Sequence, residues 1–128
     1  MDKISVLLVD DEEELVFTLA ERLVYRGYDA EGVLSGAEAI TRAEEKRFDV
    51  IVIDVKMPGM NGIEVMKKIR QKHPNTRVML ITGHGSIKDG EDGLAEGAVD
   101  YLQKPVKLED LIKKIRLAVG ISDEESDE

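Results

Sequence analysis

The chain alternates strictly between short apolar runs and longer segments with helical spacing of apolar residues. Five runs of four to six residues are too short for buried helices and are predicted as strands: Ile4–Val9, Tyr28–Val33, Val50–Ile53, Arg77–Thr82 and Val99–Gln103. The segments after them are predicted as helices: Glu12–Arg26, Ser35–Glu45, Gly62–Lys72, Ser86–Glu96 and Lys107–Val119. This alternation predicts one α/β domain with a doubly wound, five-stranded parallel sheet.

The strands also indicate how the sheet is arranged. They are almost continuously apolar, as expected when helices cover both faces of a parallel sheet. The segment Tyr28–Val33 is the most polar and is predicted at an edge. We expect two helices on one face, three on the other, and strand order 2-1-3-4-5, which is the flavodoxin-like topology.

Composition limits the class of protein. The 128 residues suit one domain with a sizeable core, and they include no cysteine, which excludes disulfides and thiolate metal sites. The net charge is −9, and residues 121–128 carry five of the acids, which leaves −4 on the rest. We therefore expect no direct nucleic-acid binding, a domain over residues 1–120, and an acidic disordered tail or the start of a linker at 121–128. The sequence contains neither a membrane-length apolar run nor a signal-peptide pattern, and a cytoplasmic location is expected.

Polar side chains follow the predicted strands at their carboxyl ends. Asp10 and Asp11 follow the first strand, and Asp54 follows the third. Thr82 ends the fourth strand, and Lys104 follows the fifth. Ligands of open parallel sheets bind beyond the carboxyl ends, where the strand order reverses, and here that is between strands one and three. The five side chains are therefore predicted to form one site.

The side chains in this set indicate a particular chemistry. Clustered carboxylates repel one another unless a cation joins them, and Mg²⁺ prefers carboxylate and carbonyl oxygens. A central carboxylate, Asp54, can attack phosphorus, and Lys104 and the Thr82 hydroxyl can stabilise the charge on a transferring phosphoryl group. Asp10 and Asp11 are better placed to hold the metal.

Four motifs together resemble the receiver domain of bacterial two-component response regulators: "VDDEE", "DVKMPGMNG", "LITGHG" and "DYLQKP". The resemblance covers about residues 4–119. It implies that Asp54 accepts a phosphoryl group from a sensor histidine kinase. It also implies that Mg²⁺ binds Asp10, Asp11, Asp54 and the main-chain carbonyl of Lys56.

The resemblance further implies a conformational switch. Thr82 and Lys104 would contact the phosphoryl group, and Tyr101 would turn inward when Thr82 is drawn toward it. The face made by the fourth helix, fifth strand and fifth helix would then change, and would control an output domain, a downstream protein or a phosphorylation-dependent homodimer. Self-phosphorylation and slow autodephosphorylation are implied, but not enzymatic turnover. A cis bond between Lys104 and Pro105 is implied as well.

Three other functions fit the sequence less well. An aspartyl phosphatase would resemble the pattern Asp-x-Asp, but the second acid is replaced by Lys56. A flavin-binding module would need a glycine- and hydroxyl-rich phosphate loop after the first strand, where "DDEEE" would repel phosphate. A degenerate receiver that acts only as a docking module is disfavoured because all five site residues are present.

The fourth helix departs from a good helical sequence. Gly90 and Gly93 each cost about 1 kcal/mol relative to alanine in a helix interior. The available apolar anchors are Ile87, Leu94 and Ala95. The helix is predicted to be short, frayed or mobile, with amide exchange in residues 86–97 faster than in the first and last helices. His84 lies two positions after Thr82 and is a candidate for influencing phosphate loss.

Overall fold

A computed structural model of the chain describes residues 3–83 and 85–121. The helices are α1 (Glu13–Tyr25), α2 (Gly36–Glu45), α3 (Gly62–Lys72), α4 (Ile87–Ala95) and α5 (Leu108–Ala118). The strands are β1 (Ser5–Val9), β2 (Asp29–Val33), β3 (Val50–Asp54), β4 (Arg77–Thr82) and β5 (Asp100–Gln103). All ten lie within a residue or two of the predicted bounds. His84 and residues 122–128 of the predicted tail lie outside the described residues.

The sheet has the predicted order, β2-β1-β3-β4-β5, and every neighbouring pair is parallel. The register aligns Val9 with Ile53 and Asp54 with Ile81, so β1, β3 and β4 end at nearly the same level. The order reverses between β1 and β3. The fold therefore brings the carboxyl ends of these strands to one edge.

Two apolar layers hold the helices on the sheet. One joins the sheet to α1 and α5 and includes Leu23 and Leu111. The other joins it to α2 and α3 and includes Ala39 and Met66, and α4 lies on the same side against Leu80. The predicted division into two and three helices is confirmed. No helix in the described residues has both the length and the apolarity needed to cross a membrane.

Local sequence signals set several element boundaries. Ser35 caps the N-terminus of α2: the Glu38 amide donates to Ser35 Oγ over 3.1 Å, and the Glu38 carboxylate accepts from the Ser35 hydroxyl and the Leu34 amide. The turn after β3 has Gly59 at φ +82°, a value that glycine adopts without strain. The Lys104–Pro105 peptide bond is cis, as the resemblance implied.

Gly62, the first residue of α3, lies directly against the end of β3. A Cβ atom there would lie 2.3 Å from the main-chain oxygen of Asp54. Its amide donates to the Val55 carbonyl over 2.8 Å. Glycine is required because the α3 backbone passes too close to β3 for any side chain, and this contact fixes the loop beside Asp54.

The helix α4 differs in one respect from the sequence-based expectation. Ile87, Leu94 and Ala95 were expected to anchor it, yet all three are exposed, Ile87 by 55% and Leu94 by 41%. The buried positions are Gly90 and Gly93. The anchor assignment was wrong, because the helix presents its glycine face to the sheet. The predicted shortness is confirmed at nine residues.

Candidate functional site

Three carboxylates meet at the edge where the strand order reverses. Ligand oxygens of Asp10, Asp11 and Asp54 all lie within 4.8 Å of one another. Asp10 and Asp54 are 2% and 4% exposed, whereas Asp11 is exposed. The buried pair places two negative charges in a poorly solvated pocket, and the third lies at its mouth.

The loops beside the strand ends orient these groups. The Glu12 amide donates to Asp10 Oδ1 over 3.0 Å, and the Lys56 amide donates to Asp54 Oδ1 over 3.4 Å. Each buried carboxylate thus has one oxygen held by the amide two residues further along the chain. The other oxygen of each faces the ammonium of Lys104.

The Lys104 ammonium lies among the acids. Its Nζ is 3.3 Å from Asp54 Oδ2 and 3.3 Å from Asp10 Oδ2, and it also donates to the Glu12 carboxylate. Lys104 is carried here by β5, whose end is tied to β4 by a hydrogen bond of 2.8 Å from the Lys104 amide to the Thr82 carbonyl. The predicted meeting of Lys104 with Asp10 and Asp54 is therefore seen in the structure.

The pocket carries more negative than positive charge. Burial, and then the charge of Asp10, raise the pKa of Asp54 to about 6 against the opposing effect of Lys104. Burial lowers the pKa of Lys104, but Glu12, Asp54 and Asp10 together hold that pKa above its ordinary value. One ammonium does not neutralise this many carboxylates.

Thr82 and Tyr101 belong to β4 and β5, the two strands that follow β3 in the sheet. Thr82 is fully buried, and its hydroxyl donates to the Leu102 carbonyl over 3.4 Å. Thr82 follows Ile81, the register partner of Asp54, so it lies at the same end of the sheet. Tyr101 is half-buried on β5 and packs against the layer beneath α2 and α3.

The residues present fit a hard divalent cation. The donor set is entirely oxygen, and Asp10 Oδ2 is buried and makes no hydrogen bond in the structure beyond its 3.3 Å ion pair with the Lys104 ammonium. Two buried carboxylates and one exposed carboxylate suit Mg²⁺, which binds through a few protein oxygens and keeps several waters. Asp10, Asp11 and Asp54 would hold the ion.

Sequence reasoning missed the role of Glu12. Glu12 begins the predicted helix Glu12–Arg26, and acids are common at helix starts. The structure pairs its side chain with Lys104, which is 92 residues away. The available signal was the run of five consecutive acids from Asp10 to Glu14, which exceeds what a helix start requires but does not single out Glu12.

Comparisons with known proteins agree with the fold. A family model described as the response regulator receiver domain matches residues 6–116. The chain belongs to this family of two-component signalling domains. The receiver domain protein of Methanospirillum hungatei, described as CheY-like, superposes with a TM-score of 0.86 at 28% identity over 98% of both chains. The Vibrio cholerae chemotaxis protein CheY4 superposes with a TM-score of 0.85 at 34% identity, over 91% of this chain and 99% of that one.

Curated bacterial relatives are named as transcriptional regulators. The uncharacterized transcriptional regulatory protein YkoG of Bacillus subtilis is 37% identical over 93% of this chain and 52% of its own length. The transcriptional regulatory protein TrcR of Mycobacterium tuberculosis is 37% identical over 88% of this chain and 44% of its own length. The chain thus spans about half the length of these relatives.

Proposed function

We propose that Asp54 is the phosphoryl acceptor of a signalling switch. The observation that carries this proposal is the position of its carboxylate, buried at the end of β3 within 3.3 Å of the Lys104 ammonium and beside two further acids. Asp11 is exposed and Asp10 follows β1, whereas Asp54 ends β3, the middle strand of the sheet, so Asp54 is the central group.

In the proposed reaction, an oxygen of the Asp54 carboxylate attacks phosphorus and forms an acyl phosphate. The bond from phosphorus to the donor breaks, and the donor leaves with the bonding electron pair and takes up a proton. A phosphohistidine of a sensor kinase or a small acyl phosphate would serve as donor. Bound Mg²⁺ would offset the charge of the donor phosphate and of the acids.

The residues of the chain have separate proposed roles in this reaction. Asp10, Asp11 and the Lys56 carbonyl join Asp54 in holding the metal. Lys104 pairs with an oxygen of the transferred group, since its ammonium already lies beside the acceptor. Water attack on phosphorus breaks the bond to the Asp54 oxygen, releases inorganic phosphate and returns the carboxylate. The domain would thus slowly dephosphorylate itself. Turnover of small phosphoesters lacks support, because the position of a second acid is Lys56.

Signal output is proposed to pass through Thr82 and Tyr101. The Thr82 hydroxyl would leave the Leu102 carbonyl, a long bond of 3.4 Å, to bind the phosphoryl group. The vacated space would let Tyr101 turn inward and shift the face of α4, β5 and α5. This face is proposed to contact an output domain, a downstream protein or a second copy of the chain. A receiver domain over residues 1–120 in the cytoplasm fits this role.

The proposal is tested by incubating the protein with acetyl phosphate and Mg²⁺ and measuring its intact mass. The expected result is one added phosphoryl group per chain, lost in Asp54→Asn and lost when a chelator removes Mg²⁺. Asp110→Asn, which changes an exposed acid in the first turn of α5, is the matched control and should be labelled normally. Equal labelling of Asp54→Asn would refute the assignment of the acceptor.

A further inference from the structure

The two glycines of α4 face a pair of side chains on the sheet. Leu80 of β4 and Tyr101 of β5 are register partners, so they lie side by side. Gly90 and Gly93, one helical turn apart, are the buried positions of α4 and lie over this pair. The helix therefore contributes no buried side chain of its own, and side chains from the sheet reach into it instead.

The fit at Gly90 is close. A Cβ atom there would lie 2.4, 2.5 and 2.6 Å from Cδ2, Cε2 and Cγ of the Tyr101 ring. Such distances are below any normal carbon contact, and they involve the body of the ring, so the ring as a whole would have to move. We call the space above Gly90 that the ring fills the Gly90 notch.

The fit at Gly93 is of a different kind. A Cβ atom there would lie 2.0 Å from Leu80 Cδ1 and 3.4 Å from Leu80 Cγ. Only the end of a flexible side chain must move, and a change of rotamer can provide this. The two glycines thus offer a matched pair on one helix, of which only Gly90 contacts Tyr101.

The two ends of α4 are attached differently. Near its C-terminal end, Lys67 of α3 forms an ion pair of 3.1 Å with Glu96, and the Arg70 guanidinium packs beside Gly97. In its first half, Ile87 is exposed and the side chain of Ser86 caps no amide. The Tyr101 ring, in the Gly90 notch, packs against this half.

We propose that Gly90 is a positioning residue for Tyr101: the notch holds the ring against α4, so that the ring and the first half of the helix move together. This rests on the proposed role of Tyr101 as a switch. When the ring turns toward Thr82, α4 loses its contact in the notch and its first half loosens, while its C-terminal end stays attached to α3. The contact between the Tyr101 ring and the notch would thus have two states, formed and broken, and the phosphoryl group would favour the broken state.

The first experiment measures amide exchange of α4 in the unphosphorylated full chain. Tyr101→Ala empties the notch, and exchange in residues 87–93 is expected to rise about tenfold relative to α1, as the loss of an aromatic contact would produce. Tyr101→Phe keeps the ring and is the matched control, with exchange in α4 close to that of the unchanged protein. An unchanged ratio of α4 to α1 exchange in Tyr101→Ala would overturn the proposal.

The second experiment compares Gly90→Ala with Gly93→Ala in protein labelled with 3-fluorotyrosine. Both variants gain the same helix propensity, so a general effect on α4 is common to them. The chain has three tyrosines, so Tyr25 and Tyr28 serve as internal references for the ¹⁹F resonance of Tyr101. That resonance should move in Gly90→Ala and stay near its place in Gly93→Ala. A Tyr101 resonance that does not move in Gly90→Ala would also overturn the proposal.

Neither experiment requires phosphorylation. If acetyl phosphate fails to label Asp54, the proposed function fails while both results on the notch stand. If Asp54 is labelled but Gly90→Ala leaves Tyr101 in place, the notch fails and the phosphoryl acceptor stands. The two proposals therefore fail separately.

Discussion

At the scale of single residues, three carboxylates at the site pair with one ammonium, that of Lys104. Lys104 lies 3.3 Å from both Asp10 and Asp54, and it also donates to Glu12. Metal bound by Asp10 and Asp54 would satisfy those two carboxylates and leave Glu12 as the partner of Lys104. Glu12 is 59% exposed, so its pairing is weak enough to exchange with a phosphoryl oxygen.

This competition gives a prediction for Glu12→Gln. The change removes a negative charge at the pocket mouth and frees Lys104, so phosphorylation by acetyl phosphate should be faster by about two- to fivefold, the range of an exposed ion pair. Glu13→Gln is the matched control, because it removes the same charge one residue away in the first turn of α1. Intact mass against time gives the rates. Equal rates in the two variants would contradict a specific role for Glu12.

A second prediction concerns Asp54 and pH in metal-free protein. Its pKa of about 6 in the fold exceeds the ordinary value of 3.8, so the folded state binds the proton more tightly than the unfolded state. The favourable contribution of Asp54 is thus complete below its ordinary pKa and is lost as pH rises through the pKa of the folded state. Asp54→Asn should raise the free energy of unfolding by on the order of 1–3 kcal/mol at about pH 7.5 and change it little at about pH 4.

Urea unfolding in a chelating buffer checks this pH dependence, with Asp110→Asn as an exposed control. Added Mg²⁺ should stabilise the unchanged protein more than Asp54→Asn, because only the former keeps all three acids. An Asp54→Asn effect of the same size at both pH values would show that the charge of Asp54 is not the cause.

At the scale of elements, α4 shows what periodicity can and cannot reveal. Spacing predicted α4 and its approximate bounds, but it assigned the inward face to Ile87 and Leu94, because apolar residues are usually buried. Their exposure and the burial of Gly90 and Gly93 follow from the bulk of Tyr101 and Leu80 across the gap. A contact between a helix and side chains far away in the chain leaves no mark in the local pattern.

The same helix should exchange its amide protons faster than its neighbours. In α1, Val16, Leu19 and Leu23 are buried, whereas α4 buries only glycines. Hydrogen exchange at neutral pH is expected to show lower protection in residues 86–97 than in α1 and α5, because local opening of α4 exposes little apolar area of its own. Equal protection of the three helices would mean that α4 is held by contacts beyond those described.

At the scale of the whole molecule, the sheet topology accounts for most of what the sequence could predict about the site. The rule that ligands bind at the carboxyl ends of parallel strands placed Asp10, Asp54, Thr82 and Lys104 at one edge before any coordinates. It could not supply the pairing of Glu12 with Lys104, nor the approach of Gly62 to β3. Those depend on side-chain reach and on distances of a few ångströms between distant segments.

The central claim is that Asp54, and no other carboxylate, carries the phosphoryl group. The most direct measurement is to phosphorylate the protein with acetyl phosphate and Mg²⁺, reduce the acyl phosphate with borohydride, and sequence the peptides by mass spectrometry. Reduction should convert residue 54 alone to homoserine, and omission of Mg²⁺ should abolish the conversion. Homoserine at position 10 or 11, or a phosphoryl group that borohydride leaves on a histidine or hydroxyl side chain, would contradict the claim.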